Sequence, residues 1–138
     1  MVKKNRKYFP SVSQMIDRLC IVTLKSIKVS EFKDDYEAEA KEILHDLDLL
    51  LGKDQGRFIR CVIVNAVVNE IMWANESEAR KGNDKQGKRL VLTHSLNSVR
   101  NQASNNISDI MKGRKDKKLD YMSPELTKEF GFDFDKVL

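Results

Sequence analysis

Asn65, Asn69, Glu76 and Arg80 are spaced so that, at 100° per residue, they fall within about 60° of one another on a helix. Phe58, Met72 and Trp73 border the same line, so amide, carboxylate, guanidinium and aromatic surface share one strip. Such a strip suits a polar ligand that stacks a ring on Trp73 and turns an anionic part toward Arg80. The competing role is structural: Asn65 and Asn69 bond neighbouring helices, and Glu76 with Arg80 forms an i,i+4 ion pair.

Later in the chain His94, Asn97, Asn101, Ser104, Asn105 and Ser108 form a second polar line. Asparagine is a poor helix former, and a merely solvated face is more cheaply built from Glu, Lys or Gln. A row of uncharged donors and acceptors points to a subunit interface or to the hydroxyl and base edges of a nucleotide, with Arg100 nearby for phosphate. Arg18 and Lys25 lie one heptad apart, flanked by Gln14 and Lys28, a spacing of cations that can meet a di-anionic or cyclic phosphate. Solvated faces are the ordinary alternative for both groups.

Signals for catalysis are weaker. Glu39 and Glu42 have an ExxE spacing with His45 three positions on, but a di-metal site needs a second acidic pair, and Glu70, Glu76 and Glu78 lack a matching spacing. The two histidines, His45 and His94, belong to no Ser or Cys constellation, and Gly82 and Gly87 precede no GK[ST] element. No catalytic residue, metal ligand or cofactor is therefore assigned.

The elements that must position these residues read as all-α. In a chain of 138 residues, 41% hydrophobic and 33% charged, a single core is expected. Pro10 and Pro124 are the two prolines, and between them apolar residues recur at intervals of three and four. The first helix is expected from Val12 to Glu31, opened by a Ser11/Gln14 capping box. The second runs from Asp35 to Leu51 with Gly52 as its stop, its stripe being Tyr36, Ala40, Ile43, Leu47 and Leu50. The third, Arg57 to Lys81, is apolar around its circumference and should be central; residues 81–87 form a polar loop. The fourth, Lys88 to Lys112, ends at Gly113 and carries a seam of Leu92, Leu96, Val99, Ala103, Ile107 and Ile110.

This gives a basic segment at 1–10, a four-helix bundle-like domain at 11–113 and a basic, then aromatic, segment at 114–138. The aromatics of that last segment, Tyr121, Phe130, Phe132 and Phe134, should pack across the bundle or onto a partner subunit. A short helix is expected to start at Ser123-Pro124-Glu125.

The net charge of +4 is unevenly placed. Residues 1–7 and 112–118 together hold nine bases and one acid, leaving 16 basic and 20 acidic residues, net −4, for the body. Contact with nucleic acid is thus expected to be weak and confined to the basic termini. No apolar run reaches the ~20 residues of a membrane span, and residues 1–10 lack a secretion-signal stretch, so a cytoplasmic protein is expected. Cys20 and Cys61 sit in apolar stretches without CxxC spacing and read as reduced, buried thiols.

Ser11-Val-Ser-Gln-Met-Ile-Asp-Arg-Leu-Cys-Ile-Val-Thr-Leu-Lys25, taken with Leu92-Thr-His-Ser-Leu-Asn-Ser-Val-Arg-Asn101, resembles small uncharacterised α-helical proteins of bacteria and their phages. In those an "IDRLxI…K" opening helix is paired with a late "LNxxRN" helix. The resemblance implies an all-helical fold and a phage-like context, and it supplies no active site. One class of such phage proteins sequesters the cyclic nucleotide signals of host defence. The combined expectation is a non-catalytic, oligomeric protein of the (host) cytoplasm that takes up an anionic nucleotide-like small molecule between helices one, three and four. Its ligand contacts would be Arg18, Lys25, Asn69, Trp73, Glu76, Arg80, His94, Asn97, Arg100 and Asn101. The alternatives are a module that captures a host enzyme through its aromatic C-terminal segment, and a metal-dependent nucleotide hydrolase using Glu39 and Glu42.

Overall fold

A computed structural model describes residues 5–112 and 122–138, apart from the Lys85 side chain. Lys3, Lys4, the basic run at 113–118 and Tyr121 lie outside the described residues, and with them the expected contacts of both basic segments except Arg6, Lys7 and Lys112. Among the described residues there are five α-helices: α1 (Val12–Lys28), α2 (Lys33–Leu51), α3 (Gln55–Arg80), α4 (Lys88–Ile110) and α5 (Pro124–Glu129), with a 3-10 turn at Lys85–Gly87. There is no strand among the described residues.

α1 starts where its capping box places it. Ser11 N donates to Gln14 Oε1 at 2.8 Å, and Gln14 N donates to Ser11 Oγ at 3.2 Å, so two free backbone donors are satisfied reciprocally. The helix ends at Lys28, three residues before the expected Glu31, because Val29 turns to extended backbone. α2 begins two residues earlier than expected, at Lys33, whose ammonium donates to Ser26 O at 3.1 Å and to Asp133 O at 2.9 Å and so pins the start of the helix. α3 also begins early. Gly56 N donates to Asp48 Oδ1 at 2.7 Å, a carboxylate of the neighbouring helix serving as cap.

Why α2 and α3 can approach so closely is visible at Gly56. A Cβ there would lie 2.6 Å from Leu44 O, so only a residue without a side chain lets the two backbones meet. α1, α2 and α3 pack mutually through Met15, Leu19, Val22, Ala40 and Leu47, with Ile59 and Ile63 against them. Ile27, Val64, Val67, Val68, Ile71, Leu92, Leu96 and Val99 form the second cluster, between α3 and α4.

The packing is bundle-like with one departure from four-fold closure: the α4 backbone lies close to α3 and α5 and not to α1 or α2, α1 reaching the α4 side chains through Ile27. Phe134 and Val137 are buried in the α3–α4 cluster instead, with Met122, Leu126, Phe130 and Phe132 packed against it. The chain end is tied down by Asp133 N donating to Ile27 O at 2.8 Å. Leu50, expected in the core, is 61% exposed, because α2 turns that edge away from α1 and α3.

α3 is central and covered on most sides. Its 26 residues and mean hydropathy of 1.2 over the most apolar window meet the length and composition of a membrane-crossing helix, contrary to the sequence expectation. Within the fold it buries Cys61, Val64, Val67, Val68, Ile71 and Met72, together with Arg60 and Asn75. Burial pushes the Cys61 thiol above its ordinary pKa, against a smaller downward pull from Arg57 and Arg60. Cys20 is half-buried.

Gly56→Ala should lower stability by about 1–3 kcal/mol, the usual cost of forcing a group into a filled space. Thermal unfolding checks this, and an unchanged Tm would show that α2 and α3 are not held at this distance.

Candidate functional site

Much of the uncovered side of α3 is one straight line. Val62, Ala66, Asn69, Trp73, Glu76 and Arg80 are all exposed and lie within about 40° of a common direction, a stripe about 27 Å long at 1.5 Å per residue. The strip recognised in the sequence is thus a surface, not a buried receptor: Trp73 is 77% exposed. Asn65 departs from it, being half-buried, its Oδ1 without a hydrogen-bond partner among the described residues.

Alongside this stripe α4 runs antiparallel to α3, joined by a short turn, and the two are clasped by a buried polar group. Asn75, only 4% exposed, donates through Nδ2 to Arg89 O at 2.8 Å and to Thr93 Oγ1 at 2.9 Å, while its Oδ1 accepts from Arg89 Nη1 at 3.0 Å. Arg89 also donates through Nε to Asn83 O and lies over the Phe130 ring at 5.4 Å. Every hydrogen-bonding valence that matters on Asn75 is filled, so the hairpin is fixed in register. That register places Arg100 of α4 beside Asn69 of α3.

Arg100 is half-buried and held by amides. Its Nη2 donates to Asn97 Oδ1 at 2.6 Å and its Nη1 to Asn69 Oδ1 at 3.4 Å, and it forms no ion pair among the described residues. With Asn69, Met72, Trp73, Glu76, Ser77 and Arg80 it lines a shallow cavity of about 390 Å³. Glu76 and Arg80, four apart, form no ion pair with each other, and neither is hydrogen-bonded among the described residues. The cavity therefore offers two guanidiniums, one carboxylate, one amide, one hydroxyl and an indole face, with Asn97 behind Arg100 outside the lining.

Other expected ligand residues lie elsewhere. Arg18 faces α2, where Nε and Nη2 meet the two Glu39 oxygens at 2.7 and 2.9 Å, a bidentate pair that pushes the Arg18 pKa up. Lys25 lies over the Tyr36 ring at 5.6 Å, also on the α2 side. Because Arg18 and Lys25 both turn toward α2 and neither lines the α3–α4 cavity, these two cations are not part of that site. His94 is exposed on α4 and does not line the cavity, and Asn101 is half-buried and already engaged. The Glu39 carboxylate that the hydrolase reading needed is taken by Arg18, and no cluster of three potential metal ligands occurs among the described residues.

Sequence reasoning missed Asn75, Ser77 and the buried Arg60, whose guanidinium meets Glu37 at 2.8 and 3.1 Å. For Asn75 a signal existed: it shares the helical face of Val64, Val68 and Ile71, where a polar residue must find a partner. No protein-family model, curated protein or solved structure matches the chain.

Trp73→Ala should change stability by less than about 0.5 kcal/mol, since the ring is spread on the surface. Asn75→Ala should cost about 1–3 kcal/mol by leaving buried partners unsatisfied. Paired denaturant titrations measure both, and the reverse ranking would place the indole in the core.

Proposed function

We propose that the chain is a non-catalytic cytoplasmic binding protein whose α3–α4 face takes up, and so sequesters, an anionic nucleotide-like small molecule. The observation that carries this reading is the Arg100 guanidinium, oriented by two neutral amides and, among the described residues, without a carboxylate counter-charge, beside an exposed indole. A guanidinium already paired, like Arg18 or Arg60, has spent its charge on its own protein; Arg100 has been positioned without being neutralised. It can donate to a phosphate in a planar, two-pronged fashion.

Trp73 supplies the face on which a base stacks, a contact worth about 1–3 kcal/mol per base. Arg80, across the cavity, adds a second cation for a second phosphate, and Glu76 accepts from a base amino or ribose hydroxyl group. Asn69 serves both sides, accepting from Arg100 through Oδ1 and keeping its amide donors for the ligand. A cavity of about 390 Å³ falls within the range of small-molecule sites. The phage-type, anti-defence context belongs to the same proposal and is consistent with a ligand such as a cyclic nucleotide.

Phe134 is buried and Phe130 and Phe132 pack against the core, which favours this reading over a module that captures a host enzyme through its C-terminal aromatics.

Trp73 is the one tryptophan of the chain, so its fluorescence reports the site without a label. Titration with AMP and with cyclic di-AMP should quench it saturably. Arg100→Ala should weaken binding about 10- to 100-fold, the value of a charge-assisted hydrogen bond, with Arg80→Ala next and Arg18→Ala without effect. Quenching that is absent, or indifferent to Arg100→Ala, refutes the proposal.

A further inference from the structure

On the opposite flank, Tyr8, Phe9, Met15, Ile43, Leu49 and Leu50 line a groove of about 670 Å³ between the segment preceding α1 and the C-terminal half of α2. Four of these side chains stand largely in water: Tyr8 is 70% exposed, Phe9 62%, Leu49 73% and Leu50 61%. Single exposed apolar residues need no explanation, but a contiguous group of large ones marks an interaction surface.

The two walls differ in charge. One is aromatic with a cationic rim: Tyr8 and Phe9 line the groove, Arg6, outside the lining, lies over the Phe9 ring at 5.8 Å, Lys7 follows it in the chain, and the Tyr8 hydroxyl accepts from Gln14 Nε2 at 3.0 Å, which fixes the segment to α1. The other is acidic and aliphatic: Glu39, Glu42 and Asp46 share one face of α2 with Ile43, Leu49 and Leu50. Of these acids Glu39 is paired with Arg18, and Asp46 meets His45 at 3.1 Å and no other side chain among the described residues. Glu42 and Lys7 form no ion pair among the described residues.

Two strips that complement each other, lying side by side on one molecule, are what a two-fold interface requires, because rotation lays each strip of one copy on the other strip of its partner. We propose that this groove is a homodimer interface in which Arg6, Lys7 and Phe9 of one copy seat against Glu42, Asp46 and Leu49 of the second. Each contact is made twice, so all four exposed apolar side chains are covered and the unpaired charges find partners. The ligand face on α3 and α4 lies outside this contact.

Sedimentation equilibrium on the full chain tests the interface. A dimer is expected, weakening as salt is raised. The double variants Arg6→Glu with Lys7→Glu, and Glu42→Lys with Asp46→Lys, should each be monomeric with an unchanged helical circular-dichroism spectrum. Mixed in equal amounts they should dimerise again, since both contacts of the mixed pair are then of opposite sign; this rescue separates a lost interface from a lost fold. A wild-type chain that stays monomeric, variants that dimerise like wild type, or a mixture that remains monomeric overturns the proposal. A monomeric chain that binds a lysine-rich amphipathic peptide overturns it too, and assigns the groove to a foreign segment.

Discussion

The clasp between Asn75, Arg89 and Thr93 is the interaction on which the rest of the architecture depends. An amide buried among valines and isoleucines is costly unless its donors and acceptor are met, and here they are met only by α4 in one register. From the first two helices α4 gains little beyond Ile27 of α1, which packs in the same buried cluster as Leu92, Leu96 and Val99. The position of every α4 side chain relative to α3 therefore follows from that contact and from the apolar seam around it. Arg100 comes to rest beside Asn69 because Thr93 comes to rest beside Asn75, seven residues or about two helical turns away.

Three arginines show how the same side chain takes different roles according to what faces it. Arg60 is 6% exposed and closed by Glu37, an ion pair whose worth lies mainly in avoiding an unpaired buried charge. Arg18 is matched by Glu39 on a solvated flank, where such pairs add little to stability. Among the described residues Arg100 is held by amide oxygens and by no carboxylate. Amides fix geometry without cancelling charge, which is the arrangement a binding site needs and a structural ion pair does not.

What the sequence reveals is what local physics decides. The Ser11 and Gln14 capping box, the Gly52 stop and the helical class follow from backbone donors, a backbone at φ +117° and apolar spacing, all of which act within a few residues. The centrality of α3 follows too, since a helix with apolar residues on every side must be covered. Which partner covers which side is decided at long range and leaves no local trace: Arg18 finds Glu39 twenty-one residues away, and Phe134 and Val137 take the place beside α3 that a closed bundle would give to another helix. Leu50 matched the period of its helix and still faces water, because periodicity defines a face without naming its neighbour. In the candidate site the α3 strip and Arg100 were legible as residues that charge and helix propensity left unexplained, whereas their exposure was not, since the same spacing serves a buried seam and an open one.

The most direct test of an unneutralised guanidinium beside an open indole is nitrogen-resolved NMR of two side chains, the Arg100 Nε–H and the Trp73 indole N–H, during titration with cyclic di-AMP. Both resonances should move together along one saturating curve, with little change at Arg18, whose charge is already spent on Glu39. Resonances that stay still while those of α1 and α2 respond would contradict the account.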